Sequence, residues 1–206
     1  MSYRIDIFRR LNMCGRYYFD GDTYRLVGRV IEDCQYDYEE YENDFYPGDN
    51  IPVLAVKNGK LTLTPMKWGY SMNNSSKRVI NARCETVLEK KMFSQDALTH
   101  RCLIPAKGFY EWDSHKHKVS FESQKNRYLL MAGIYRVKEN EVTIITTMAN
   151  SLMKPIHSRM PLMIDEQDIQ RWLYDNQYLE SFLTSTTDDL NIVSGQIQES
   201  LFGDDE

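Results

Sequence analysis

Long hydrophobic runs are missing from this 206-residue chain. None approaches the roughly 18–20 apolar residues of a membrane helix, so no transmembrane span is expected. The first residues carry arginines but no apolar segment behind them, which argues against a secretory signal. Cysteine is scarce: Cys14, Cys34, Cys84 and Cys102 form no CxxC pair and no dense framework. Reduced thiols in a cytosolic protein are the expectation. Internal repeats and low-complexity stretches are also absent. Basic residues all but vanish at the C-terminal end, where residues 165–206 hold one Lys/Arg against eleven Asp/Glu.

The net charge of −5 speaks against a generic nucleic-acid binder, but the average hides a strong polarity. Residues 19–49 hold two basic and ten acidic side chains, whereas residues 67–118 hold ten basic and five acidic. A basic central third in an acidic chain suits a confined phosphate-binding groove. A solvated charged surface with chance clustering gives the same counts.

The length fits one domain with a proper core. Asp22 and Thr23 precede helical spacing and predict a helix over 22–34. A rigid turn at Tyr46-Pro47 leads into a strand at 53–56. Asn58-Gly59 predicts a hairpin with a return strand over 60–66. A polar loop is expected at 73–77, a helix over 84–93, and a strand over 101–112 entering a turn at Lys107-Gly108. Residues 127–136 and 141–148 read as two strands, 151–156 as a short helix or loop, and 161–164 as a strand. Asp165 is placed to cap a helix, followed by a last helix near 178–183 and a strand near 192–193. Many short strands with few helices predict an α+β fold: a single compact domain with a barrel-like, mostly antiparallel β core flanked by short helices.

Four polar-rich segments place reactive residues next to turns. Met13-Cys14-Gly15-Arg16-Tyr17 would be chemically distinctive at a start codon. With Met13 removed, Cys14 would carry a 1,2-aminothiol, whose amine condenses with aldehydes and whose thiol closes a thiazolidine ring. The others are Asn81-Ala82-Arg83-Cys84-Glu85-Thr86, the run from Arg101 through Glu111 and Trp112, and His157-Ser158-Arg159-Met160-Pro161. Singly, each has a structural alternative. Asn81 suits a cap, Glu111 a paired carboxylate, His157 a satisfied loop histidine, Arg83 and Arg159 surface ion pairs, and Cys84 and Cys102 packing. His100, Cys102, His115 and His117 resemble loose metal-ligand density, but their spacing matches no zinc framework, so neither metal nor cofactor is expected.

Together, in this order, the segments resemble the SOS-response-associated peptidase (SRAP) family of abasic-site processing proteins. The resemblance runs from Met13 to about Ser194 and includes Trp68-Gly69. It implies a protein that recognises abasic sites in single-stranded DNA and joins itself covalently to the sugar aldehyde. By motif position, Cys14 is the covalent residue, Asn81 its orienting partner, and Glu111 and His157 the acid/base groups. Arg16, Trp68, Arg83, Trp112 and Arg159 would contact DNA. The resemblance further implies a monomer in the cytoplasm, nucleoid-associated on DNA.

Elementary chemistry is compatible with these roles. An α-amine, near pKa 7.7–8.0, offers more neutral nucleophile near pH 7 than a lysine near 10.4. A carboxylic acid beside Tyr110 and Trp112 is expected to be desolvated and to shuttle protons. One departure stands out: twelve residues precede Met13, and with them attached Cys14 has no α-amine. Residues 1–12 are therefore read as a start-site artefact or a removed leader, with 13–206 as the domain. Two alternatives remain at this point: a self-processing, cysteine-type N-terminal-nucleophile hydrolase, and a non-enzymatic single-stranded DNA binder.

Overall fold

Short β-branched and aromatic stretches separated by turn residues give a strand-rich chain. The computed structural model describes residues 15–34, 43–72 and 75–194. The first half holds β1 (Tyr17–Phe19), α1 (Gly21–Val27), β2 (Asp33–Cys34), β3 (Asn43–Phe45), β4 (Asn50–Lys57), β5 (Lys60–Trp68), β6 (Tyr70–Met72), β7 (Ser75–Val79), β8 (Asn81–Arg83) and α2 (Ser94–Thr99). The second half holds β9 (Arg101–Ala106), β10 (Gly108–Trp112), β11 (Lys118–Glu122), β12 (Leu129–Arg136), β13 (Glu141–Met148), β14 (Arg159–Pro161), α3 (Ile169–Tyr174), α4 (Leu179–Leu183) and β15 (Asn191–Ser194).

The largest sheet runs β14-β13-β12-β9-β4-β5-β2, and a further parallel pairing of β13 with β5 joins β13, β12, β9, β4 and β5 into a ring. Leu54, Leu63 and Leu103 line one face of this sheet and Ile104, Met131 and Ile144 the other, all essentially without solvent contact. The fold is the expected α+β arrangement, with a ring-like sheet and short helices. A second sheet, β15-β11-β10-β1-β3, leans on it, and β6-β7 is a separate hairpin. No helix among the described residues is long and apolar enough to cross a membrane.

The Asn58-Gly59 turn forms as expected. Both residues take left-handed φ values, 52° and 76°, the geometry of a two-residue hairpin turn. The segment 101–112 separates into two strands at Lys107, whose N–H donates to Tyr18 O at 2.9 Å. Its first part enters the ring and its second the smaller sheet.

Three local expectations need correction. The helix expected over 22–34 is only α1, capped by Asp20 rather than Asp22: Asp20 Oδ1 accepts from Thr23 N at 2.7 Å, and Gly28 ends it. Residues 84–93 are not a helix. A 3-10 turn at Cys84–Thr86 is followed by separate turns, and the helix falls later, at α2. Buried Val87 and Phe93 pin that stretch to the core at a spacing no continuous helical face provides. The expected polar loop at 73–77 contributes Ser75–Lys77 to β7, polar because β6-β7 lies off the core with its first three residues exposed.

Two buried charges hold the frame. Arg101 is 4% exposed and has no ion-pair partner among the described residues. It donates instead to Trp172 O, to Ala97 O at 2.8 Å, to Leu98 O at 3.2 Å and to Asn176 Oδ1 at 2.6 Å. It thus satisfies carbonyls near the C-terminal ends of α2 and α3, where a cation opposes the helix dipole. Glu141, also 4% exposed, accepts from Ser71 N at 2.8 Å, Ser71 Oγ at 3.0 Å and Arg78 at 2.8 Å, tying the β6-β7 hairpin to the ring.

Candidate functional site

Strand β13 organises one half of the site. One of its edges is shared by β12 and then β14, the other by β5 and then β8. Asn81 pairs with Ile144, Arg83 with Thr146, and Arg159 with Met148. Segments distant in sequence, Arg83 and Arg159 being 76 positions apart, are thereby gathered at the C-terminal end of one strand. Thr143 and Thr146 fasten the end of β7 and β8 further, donating to Val79 O at 3.1 Å and Ala82 O at 3.3 Å.

A two-pronged ion pair locks these segments together. Arg159 donates to Glu85 through Nη1 at 2.5 Å and Nη2 at 2.8 Å, and Nη2 also reaches Thr146 O at 2.6 Å. These donations hold the Glu85 carboxyl down at about 2, well below its ordinary range. Arg159 is 9% exposed. The expected phosphate contact at Arg159 is therefore corrected: its fork is committed to Glu85. Glu85 is the residue that sequence reasoning missed. It stands in the Asn81–Thr86 motif, but only the fold pairs it with Arg159.

Arg83 points the other way. It is exposed and has no ion-pair partner among the described residues. His157 is half-buried, with Nδ1 accepting from Arg159 N at 3.1 Å. A neutral ring in this arrangement carries its proton on Nε2.

The other half lies on β10 and the chain leading into β1. Tyr17 pairs with Phe109, and Tyr110 N donates to Arg16 O at 3.0 Å, so the antiparallel pairing continues beyond β1. Going back from Tyr17 through Arg16 to Gly15, the chain runs toward the Glu111–Trp112 end of β10. Cys14, the next residue back, lies outside the described residues, as do residues 1–12 and the acidic end 203–206.

Glu111 is 4% exposed, with its strand neighbour Val119 at 1%. Tyr110 and Trp112 do not cover it as expected, because successive strand side chains point to opposite faces. Glu111 shares its face with fully buried Phe109, whereas Trp112 is 38% exposed. Arg16 sits between the rings of Tyr46 and Tyr110, 4.9 and 5.0 Å from their centroids, and donates to Asp44 through Nε at 3.0 Å. Lys118 Nζ lies 4.3 Å from the Tyr110 ring centre. This rim combines cations with exposed aromatic faces on Tyr46 and Trp112.

Trp68 joins the two halves, in a role other than the one expected. It is fully buried and offers no face for a base. Its ring lies 5.4 Å from that of Tyr17, and its Nε1 donates to Ile80 O at 3.2 Å, one residue before Asn81. It is thus a post between the β1 entry and the β8 entry.

The loose group of possible metal ligands does not converge. His100 pairs with Asp96 at 3.3 Å and meets the Tyr135 ring edge-on, while Cys102 is fully buried with its thiol pKa pushed up by that burial. His115 and His117 remain together on the β10–β11 loop.

A family model described as "SOS response associated peptidase (SRAP)" matches residues 13–199. The chain is 29% identical over 197 residues to the abasic site processing protein YoqW of Bacillus subtilis, covering 83% of this chain and 86% of that protein. It is 30% identical over 199 residues to YoaM of the same organism, also called an abasic site processing protein, covering 83% and 85%. Among solved structures, a Bacteroides thetaiotaomicron protein superposes with a TM-score of 0.72 at 19% identity, over 93% of this chain and 95% of that one, a likeness of fold.

Proposed function

The chain belongs to the SOS response associated peptidase (SRAP) family, and from that premise we propose that it processes abasic sites in single-stranded DNA by covalent capture through Cys14. The observation that carries this reading is the convergence at β1: the antiparallel run from Tyr17 back through Arg16 leads toward Glu111, while Tyr17 reaches Asn81 through Trp68 and the Ile80 carbonyl. The names of the relatives, abasic site processing proteins, support the substrate class.

In this proposal the working protein begins at Cys14, by initiation at Met13 or by removal of the leader. The family match beginning at residue 13 supports that start. The α-amine of Cys14 adds to C1′ of the ring-opened sugar. The carbinolamine then loses water to give an imine, and the thiolate adds to the same carbon while the imine nitrogen takes up a proton. The product is a thiazolidine: one C–N and one C–S bond formed, one water released. Glu111 carries the proton that leaves with the departing oxygen. Asn81 orients the amine through an amide that both donates and accepts. His157, with Nδ1 held by the Arg159 amide, presents Nε2 as a second proton carrier. Arg83 takes a phosphate, and Trp112 offers a stacking face.

The test uses uracil-containing single strands treated with a glycosylase. Protein beginning at Cys14 is expected to give a heat-stable conjugate, and Cys14→Ala none. A conjugate undiminished in Cys14→Ala, or one formed by protein whose intact mass still includes residues 1–13, sinks the proposal. Release of the leader without any conjugate favours the self-processing hydrolase instead.

A further inference from the structure

The loop between β10 and β11 holds a group that abasic-site chemistry does not use. Asp113, His115 and His117 stand at alternate positions, and one ligating atom from each lies within 4.8 Å of the others. The loop is wound around the Asp113 carboxylate. Oδ1 accepts from His115 N at 2.9 Å and His117 N at 2.8 Å, which fixes the carboxylate and leaves Oδ2 facing the rings. Lys116, with a left-handed φ of 69°, turns the chain back, and its N–H donates to Asp113 O at 3.0 Å. The two imidazoles stack with centroids 5.9 Å apart, and His117 Nδ1 lies 3.0 Å from Asp113 Oδ2.

We propose that this loop binds one divalent transition-metal ion, of the zinc or nickel type, through Asp113 Oδ2 and the imidazoles of His115 and His117. Two imidazoles and a carboxylate form a donor set that such borderline ions favour, with the remaining position open to water. A hard ion such as magnesium would instead need an oxygen-rich shell. Ligand atoms about 2.0–2.1 Å from a tetrahedral ion lie about 3.3 Å from one another. Asp113 Oδ2 and His117 Nδ1 are already near that spacing, and His115 closes the remainder by turning an exposed ring. For Nδ1 to bind the ion, the hydrogen facing Asp113 Oδ2 must leave that nitrogen, which frees the imidazole lone pair and the carboxylate oxygen together.

Calorimetric titration with nickel(II), without DNA, tests the proposal on wild type, His117→Ala, Asp113→Asn and His100→Ala. Wild type is expected to take one ion per chain with a micromolar dissociation constant. His117→Ala and Asp113→Asn should each weaken it roughly ten-fold or more, and His100→Ala should not change it. No saturable binding by wild type, or equal binding in wild type and both loop variants, as a thiol such as half-buried Cys34 would give, overturns the assignment. The two histidines are exposed, and Asp113→Asn keeps an oxygen that accepts from the loop amides, so these variants are expected to fold, and far-ultraviolet circular dichroism checks that they do. Crosslinking is not read, so a negative result leaves the abasic-site proposal standing.

Discussion

Replacing Glu85 by Gln keeps the shape of the side chain and one acceptor but removes the charge that Arg159 faces. Hydrogen bonding from Arg159 holds the Glu85 carboxyl at about 2, down from 4.5. Taken at face value, a depression of that size corresponds to about 3 kcal/mol. The Glu85 side chain is 44% exposed, so solvent screening reduces the expectation to about 1–2 kcal/mol. Because the folded-state pKa lies below the unfolded one, this stability is fully present above about 4.5 and is lost as the pH falls toward 2. Urea unfolding of wild type and Glu85→Gln should therefore show a gap of about 1–2 kcal/mol at pH 7, or about 3–6 °C in Tm. By pH 3 the gap should shrink to roughly half or less. A variant as stable as wild type at pH 7, or a gap that does not narrow in acid, would refute the pairing as a source of stability.

Trp68→Phe keeps most of the buried ring but deletes the bond to Ile80 O. It should cost about 1–3 kcal/mol in unfolding experiments and slow crosslinking, whereas a loss of DNA retention at unchanged stability would restore Trp68 as a base-stacking residue. Arg83→Ala should lower the log–log salt dependence of single-strand binding by about 0.7, one phosphate contact, as read by fluorescence anisotropy; an unchanged slope assigns Arg83 a structural role. Glu141→Gln should destabilise by about 3 kcal/mol, since it leaves the partly buried Arg78 cation without its carboxylate; thermal unfolding within a degree of wild type contradicts that network.

Features fixed by a few adjacent residues could be read directly from the chain. Asn58-Gly59 sets its own turn because both residues tolerate left-handed φ, and the strands around it follow. The break at Lys107-Gly108 was visible as a turn, but not that the strands on either side enter different sheets. The family segments were legible as motifs, and the fold brings several of them to one end of β13. What was not legible depends on distant partners. Arg159 looked like a cation awaiting a phosphate because Glu85, 74 positions away, cannot be assigned to it before the chain is folded. Trp68 looked like an exposed platform because a tryptophan beside Gly69 reads the same whether it faces solvent or Tyr17. The helix expected over 84–93 failed for a related reason: local propensity was overruled by the anchoring of Val87 and Phe93.

The parallel seam between β13 and β5 also bears on how the site comes into being. The β4–β5 and β12–β13 hairpins join neighbours in sequence, whereas Lys67 and Glu141 at the seam are 74 positions apart. Loop-closure entropy makes such a distant parallel join slower to form than either hairpin. Trp68 pairs with Val142 on this seam, and β8 docks on β13 immediately beyond it. The placement of Asn81 is thus expected among the latest events of folding. A chain that has folded both hairpins but not the seam would hold much of its core and still leave Asn81 and Arg83 unplaced, so this half of the candidate site is assembled only when the domain is complete.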